Sequence, residues 1–191
     1  IRASQVGADG NDANAKSTAL EDFARHLADA DAFAAPRPEL LILTGGVSGS
    51  GKTTLAQNVL EAQGAVRLRS DVERKRLHGL DPLARSGSTL GAGLYAPRAT
   101  RATYDRLAAL ARALLATGFP VIVDATFLRA ADRLAFVQLA QDGGAQCTIL
   151  WCDAPIQVLR ERVAARAAAG RDASEATLEV LARQLEALEP P

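Results

Sequence analysis

Residues 46–53 have the sequence GVSGSGKT, which fits the pattern G-x-x-x-x-G-K-[ST] and limits the fold more than any other feature of the chain. An apolar run at 40–43 precedes them and helical spacing follows at 54–60, so the pattern lies between a short buried strand and a helix. Glycines there let successive N–H groups point into a concave nest at the positive end of the helix. This context disfavours the alternative of an ordinary glycine-rich turn. We therefore predict a phosphate-binding loop that holds a nucleoside triphosphate.

Two side chains of this loop have predicted roles of their own. Lys52 would reach the β- and γ-phosphates as a point charge, and the Thr53 hydroxyl would bind Mg²⁺. The predicted cofactors are therefore ATP and Mg²⁺. The predicted nucleotide-binding residues of the loop are Gly46, Ser48, Gly49, Ser50, Gly51, Lys52, Thr53 and Thr54.

Short apolar runs alternate with helical patterns along the rest of the chain. Strands are predicted at 40–43, 65–68, 119–123 and 146–152, and helices at 52–63, 72–78, 98–117, 130–141, 155–169 and 174–188. This alternation predicts an α/β fold of the P-loop NTPase type, in which a parallel sheet carries helices on both faces. Ligands of such sheets bind beyond the carboxyl ends of the strands, where the loop, Asp71, Asp124 and Asp153 fall.

Asp124 ends a strand rich in β-branched residues, as a Walker-B-type acid does. A carboxylate there would help to form the Mg²⁺ site opposite Thr53. The alternative is an aspartate that only caps a turn or a helix.

Asp71 follows the second predicted strand, and Arg74 comes three residues later. If a helix begins here, both side chains lie on one side of its first turn. The carboxylate would then accept a proton from a substrate hydroxyl, while the guanidinium binds the substrate. The alternative is that Ser70 or Asp71 only caps the helix and Arg74 is a solvated helix residue.

A cluster of arginines lies near the predicted helix end at Gly170. Arg162 and Arg166 are spaced i, i+4 on one helix face, and Arg171 follows the glycine. Such a cluster is typical of a lid that brings positive charge to a transferred phosphoryl group, with Arg166 the first candidate for that catalytic role. The alternative is a solvated helix face with balanced charges.

These motifs together resemble a family of P-loop kinases often fused downstream of an aminoglycoside-phosphotransferase-like domain. The resemblance rests on GGVSGSGKTT, SDVERKRL, VIVDATF and WCDAPIQVLRERVAARAAAGRDASEA, and covers about residues 36–191. More distantly the motif order is similar to that of polynucleotide 5′-kinases, gluconate kinases, chloramphenicol phosphotransferases and zeta toxins. The resemblance implies that Asp71 is the general base, that Arg74 holds the acceptor and that arginines 162, 166 and 171 contact the triphosphate.

The domain organisation follows from the same resemblance and from composition. Residues 1–35 are predicted to be a linker and a helix from an upstream region, and residues 36–191 a P-loop kinase domain. The chain begins at Ile1 and contains no Met, so we expect a fragment of a longer polypeptide. No apolar segment approaches the roughly 20 residues that cross a bilayer. We expect a cytoplasmic protein with no membrane partner.

The sequence predicts an ATP·Mg²⁺-dependent phosphotransferase that acts on a hydroxyl group. Lys+Arg and Asp+Glu balance at 22 each and aromatic residues are 4% of the chain, which favours a small-molecule acceptor. A nucleic-acid 5′-hydroxyl is the alternative acceptor. A protein of another class, a regulatory nucleotide switch that transfers phosphate only to water, is the rival interpretation, and it would not need Asp71.

Overall fold

Helices and strands alternate along the chain in the computed structural model, which describes residues 12–34, 39–84, 93–169 and 172–191. The strands are β1 (Leu40–Gly45), β2 (Val66–Arg69), β3 (Val121–Asp124) and β4 (Gln146–Trp151). The helices are α1 (Asp12–Ala34), α2 (Lys52–Gln63), α3 (Ser70–Leu77), α4 (Pro97–Leu115), α5 (Ala130–Asp142), α6 (Ile156–Ala169) and α7 (Leu178–Glu186), with a 3₁₀ turn at Gly93–Tyr95. The chain divides into two compact units, Ile1–Arg37 with α1 and Pro38–Pro191 with all the other elements.

The four strands form one parallel sheet in the order β2-β3-β1-β4. Because β1 lies in the middle, its carboxyl end is flanked by the ends of β3 and β4. Thr44 is paired with Asp124 in the register of β1 and β3, and Gly45 with Trp151 in that of β1 and β4. The predicted parallel sheet is confirmed, and its central strand leads directly into the GVSGSGKT loop.

Side chains alternate between the two faces of the central strand, so each face has its own core. Leu41 and Leu43 are fully buried in a cluster with Leu107 of α4 and Phe136 of α5. Ile42 points to the opposite face, in a cluster that includes residues of α2. Both faces are thus covered by helices, as the nearly continuous apolar strands predict.

The beginning of α7 differs from the sequence prediction. The helix was expected from residue 174, but it begins at Leu178, with Thr177 as the cap. Asp172 Oδ1 accepts the Ser174 N–H at 3.2 Å, and Glu175 forms an ion pair of 3.0 Å with Lys75 of α3. These contacts hold residues 172–177 against the sheet edge in a non-helical conformation.

A search of the described helices finds none that is both long enough and apolar enough to span a membrane.

Candidate active site at the carboxyl edge of the sheet

The loop at residues 46–53 joins β1 to α2 and lies close to α6 and to the end of β4. Gly46 has a φ of 125° and Gly49 a φ of 85°, both in the left-handed region that favours glycine. A Cβ atom on Gly46 would overlap the Cys152 carbonyl oxygen, and one on Gly49 would lie 2.9 Å from the Leu159 carbonyl oxygen. Close backbone approach therefore requires glycine at both positions.

Lys52, near the end of this loop, is the first residue of α2. Its Nζ donates a hydrogen bond of 2.7 Å to the Val47 carbonyl oxygen and lies 3.5 Å from Ser50 Oγ. Burial lowers the pKa of Lys52 to about 8, although the charges of Asp124 and Asp71 act in the opposite direction. The first N–H groups of α2 have no acceptor within the helix. They are available to an anion together with the Lys52 ammonium group.

Asp124 ends β3 beside Thr53 and is only 5% exposed. Thr53 Oγ1 donates to Asp124 Oδ2 at 3.0 Å, and Thr44 Oγ1 donates to Oδ1 at 3.3 Å. Arg69 Nε lies 4.0 Å from Oδ2. Carboxylate and hydroxyl oxygens are ligands that Mg²⁺ prefers, so Thr53 and Asp124 fit this ion.

Asp71 and Arg74 lie in the first turns of α3, and the cap of this helix is Arg69. Arg74 Nη1 donates to Asp71 Oδ1 at 2.8 Å. The Arg74 side chain is 11% exposed, its guanidinium lies 5.2 Å from the centre of the Tyr95 ring, and its Nε is buried without a hydrogen-bond partner. The alternative interpretation, with Ser70 or Asp71 as the cap and a solvated Arg74, is therefore wrong.

The arginines of α6 approach the loop from its other side. Arg162 Nη1 donates to the Gly49 carbonyl oxygen at 3.1 Å. One turn later, Arg166 has a buried Nη2 without a hydrogen-bond partner. Arg171 and Gly170 lie outside the described residues.

Two hollows lie beside the loop and share three lining residues. The first, here the Asp71 hollow, is lined by residues that include Ser48, Lys52, Thr53, Arg69, Asp71, Arg74, Tyr95, Asp124, Arg166, Ser174 and Gln184. The second, the Arg162 hollow, is lined by Gly49, Gly51, Lys52, Thr53, Thr54, Arg162, Arg166 and Asp172. Lys52, Thr53 and Arg166 line both, so the two cationic side chains are shared by the two hollows.

Three sequence-predicted residues have other contacts. Gly46 lines neither described hollow. Its N–H donates to the Thr126 carbonyl oxygen at 2.9 Å. Ser50 also lines neither, and its hydroxyl lies near Lys52 inside the loop. Asp153, expected at this edge, is exposed and accepts the Ala154 N–H.

Sequence reasoning missed several residues of the Asp71 hollow. Arg69 Nη2 donates to Asp172 Oδ1 at 2.7 Å. Burial alone would raise the pKa of Asp172, but the Ser174 N–H and the Arg69 guanidinium hold it below its usual value. Burial and the neighbouring Asp71 carboxylate raise the pKa of Tyr95 to about 12, so its hydroxyl remains a donor at neutral pH. Arg69 directly precedes Ser70 and Asp71 in the sequence. This position could have identified it as a residue of the site.

Gln184 also lines the Asp71 hollow. Ser48 N–H donates to its Oε1 at 2.7 Å. Nothing in the local sequence around this glutamine indicates such a contact, because it lies on α7, far along the chain from the loop.

Comparisons with known proteins agree with this geometry. The family described as AAA domain matches residues 41–191. The uncharacterized protein Rv2004c of Mycobacterium tuberculosis is 34% identical over 170 residues, which are 88% of this chain and 34% of that protein. The chain thus spans about a third of the length of the curated relatives that it matches.

Two solved structures of kinases have the same fold. The APS kinase CysC of Mycobacterium tuberculosis, in complex with AMPPNP and APS, is 26% identical with a TM-score of 0.53, covering 71% of this chain and 76% of that one. A gluconokinase from Sinorhizobium meliloti 1021 is 23% identical with a TM-score of 0.54, covering 82% of this chain and 77% of that one. With a parallel sheet, a phosphate loop on its central strand and a family match over most of its length, the chain belongs to the AAA domain family and has a P-loop kinase-like fold.

Proposed function

We propose that this domain is an ATP·Mg²⁺-dependent phosphotransferase that moves the γ-phosphoryl group to a hydroxyl group of a small molecule. One observation carries the proposal: the Asp71–Arg74 pair lies in the same hollow as Lys52, Thr53 and Asp124. A nucleotide switch needs the loop and the metal site but no carboxylate for an acceptor. The shared hollow supports transfer to a bound alcohol.

The proposed reaction uses each charged group in turn. The acceptor oxygen attacks the γ-phosphorus while the bond to the β–γ bridging oxygen breaks, and ADP leaves. The acceptor proton passes to the Asp71 carboxylate. Arg74, which lines the Asp71 hollow beside Asp71, holds the acceptor through its guanidinium group. Lys52 and Arg166, which line both hollows, neutralise the charge of the transferred group.

Thr53 and Asp124 would hold Mg²⁺, directly or through bound water. This ion usually keeps several waters and needs only one or two protein carboxylates, the remaining ligands being phosphate oxygens. In keeping with that preference, the part of the chain that the structure describes has no group of three or more His, Cys, Asp or Glu placed to hold a metal. When bound, Mg²⁺ supplies positive charge to the phosphate oxygens.

A screen for the acceptor tests the proposed function. The protein is incubated with γ-labelled ATP and Mg²⁺ against pools of sugars, antibiotics, nucleosides and oligonucleotides with free 5′-hydroxyls. We expect label in a member of a small-molecule pool. Label in the oligonucleotides would instead support a polynucleotide kinase, and label released only as phosphate would support the nucleotide switch. An upstream domain of the same polypeptide stays a prediction.

The lowered pKa of Lys52 predicts a pH dependence of ATP binding. The cationic form attracts the phosphates, and in the free protein it is lost as pH rises through about 8. We therefore expect the dissociation constant of ATP·Mg²⁺ to be flat between pH 7 and 7.5 and to rise about tenfold per pH unit above 8, measured by isothermal titration calorimetry.

Two variants separate Lys52 from other groups that titrate in this range. Lys52→Arg keeps its charge over the whole range, so its profile should be flat above pH 8. Lys52→Ala should lose the thermal stabilisation of about 2.7 kcal/mol that ATP·Mg²⁺ gives the wild type at 100 times its dissociation constant. An unchanged thermal shift in Lys52→Ala would contradict the role of Lys52.

A further inference from the structure

A side chain from outside the sequence motif holds the phosphate loop. Ser48 N–H donates to Gln184 Oε1 at 2.7 Å, across 136 residues of chain. In a carboxamide only the oxygen accepts a hydrogen bond from an N–H, so this contact fixes the orientation of the amide group. The Nε2 group, with its two hydrogens, is then the donor that this side chain can offer to a ligand.

Packing around α7 keeps Gln184 in place. Leu181, one turn earlier, is 2% exposed and packs in a cluster with Val47 of the phosphate loop. Thr177 caps the first turn of the helix. Beyond the helix, the Glu189 N–H donates at 2.9 Å to a carbonyl group in the connection between β3 and α5. The glutamine is therefore presented by a helix that is fixed at both ends, which favours a defined contact over a mobile surface group.

The two hollows define the side of the loop on which Gln184 lies. Ser48 and Gln184 line the Asp71 hollow, and neither is among the described residues that line the Arg162 hollow. Lys52 and Arg166 line both. A triphosphate that passes between these two cations places its terminal phosphate nearest Asp71, on the side of Gln184.

We propose that Gln184 is a positioning residue that distinguishes ATP from ADP: its Oε1 holds the Ser48 N–H, and its Nε2 donates a hydrogen bond to the terminal phosphate of ATP. A hydrogen bond from a neutral donor to an anion is stronger than one between neutral groups. ADP lacks the phosphate that makes this contact. The inference rests on the proposed function only in taking the anion of the two hollows to be ATP.

The test compares nucleotide affinities in Gln184→Glu. Glutamate still accepts the Ser48 N–H but has no donor and adds a negative charge beside the terminal phosphate. With Mg²⁺ present, we expect the affinity for the non-hydrolysable triphosphate AMPPNP to fall by about tenfold to a hundredfold. The affinity for ADP should stay within about threefold of the wild type. Both dissociation constants are measured by calorimetry.

Two further variants keep the result interpretable. Gln141→Glu makes the same chemical change at an exposed position of α5 and should alter neither affinity. Gln184→Met keeps the length of the side chain without a strong donor or acceptor, so it should weaken the binding of AMPPNP more than that of ADP. This comparison remains valid if the Glu variant folds poorly. An unchanged AMPPNP affinity in both Gln184 variants, or an equal loss for AMPPNP and ADP, would overturn the proposal.

The outcome is separate from that of the acceptor screen, because it reads binding of two nucleotides and no transfer. A wild-type protein that labels no acceptor would overturn the proposed function, while a selective loss of AMPPNP affinity in the Gln184 variants would still support the contact with the terminal phosphate.

Discussion

Replacing Asp71 with Asn should lower the rate of phosphoryl transfer by about 10²–10⁴ and leave ATP affinity nearly unchanged. Asparagine has the shape of aspartate but cannot take the proton of the acceptor hydroxyl. ATP binding should persist because the loop, Lys52 and the Thr53–Asp124 pair lie on the nucleotide side and are unaltered. The measurement is a single-turnover transfer rate beside the dissociation constant of ATP·Mg²⁺.

The matched control for this variant is Asp105→Asn on α4. Asp105 is also paired with an arginine of its own helix, Arg101, at 3.0 Å, but both side chains are mostly exposed. Loss of that pair should leave transfer unchanged, since exposed pairs contribute little. Undiminished turnover in a folded Asp71→Asn protein would leave Asp71 as a partner of Arg74 only and would exclude it as the general base.

Local patterns predicted most of the fold because the elements are short and their burial is simple. The apolar strands identify a sheet that is buried on both faces, and the glycines identify a turn that only glycine can make. The prediction was wrong at residue 174, where helical spacing gave the wrong helix start. There the ion pair of Glu175 with Lys75 and the contact of Asp172 with Ser174 outweigh local helix propensity.

In the candidate site, too, the local contacts could be predicted from the sequence and the long-range contacts could not. Asp71 and Arg74 are three residues apart, so their pairing could be expected from helix geometry. The contact of Arg69 with Asp172 spans 103 residues and that of Ser48 with Gln184 spans 136. Such contacts depend on how α7 and the segment before it pack on the sheet edge, which a single sequence does not specify. The structure therefore adds the residues that surround the motif, whereas the motif itself could be identified from the sequence.

Replacing Arg166 with Ala should lower the transfer rate by about 10³-fold or more, as loss of an arginine that meets a transferred phosphoryl group does. Its Nη2 is buried without a hydrogen-bond partner, and the residue lines both hollows. A buried donor without a partner costs about 1–3 kcal/mol, and a bound phosphate oxygen would relieve that cost. The contact strengthens as charge develops on the transferred group, so turnover should fall far more than ATP affinity.

Stability without nucleotide distinguishes this role from a structural one. If Arg166 stabilises the fold, Arg166→Ala should lower the melting temperature of the free protein. If its role is to bind phosphate, the variant without nucleotide should be at least as stable as the wild type, because the unsatisfied donor is gone. Arg160→Ala, an exposed position on the same helix, is the control and should change neither stability nor rate. Arg162→Ala should have an intermediate effect on rate, since Arg162 contacts the loop at Gly49 but is exposed. Wild-type rates in Arg166→Ala and Arg162→Ala, as well as in the Arg160→Ala control, would exclude these arginines of α6 from the transfer step.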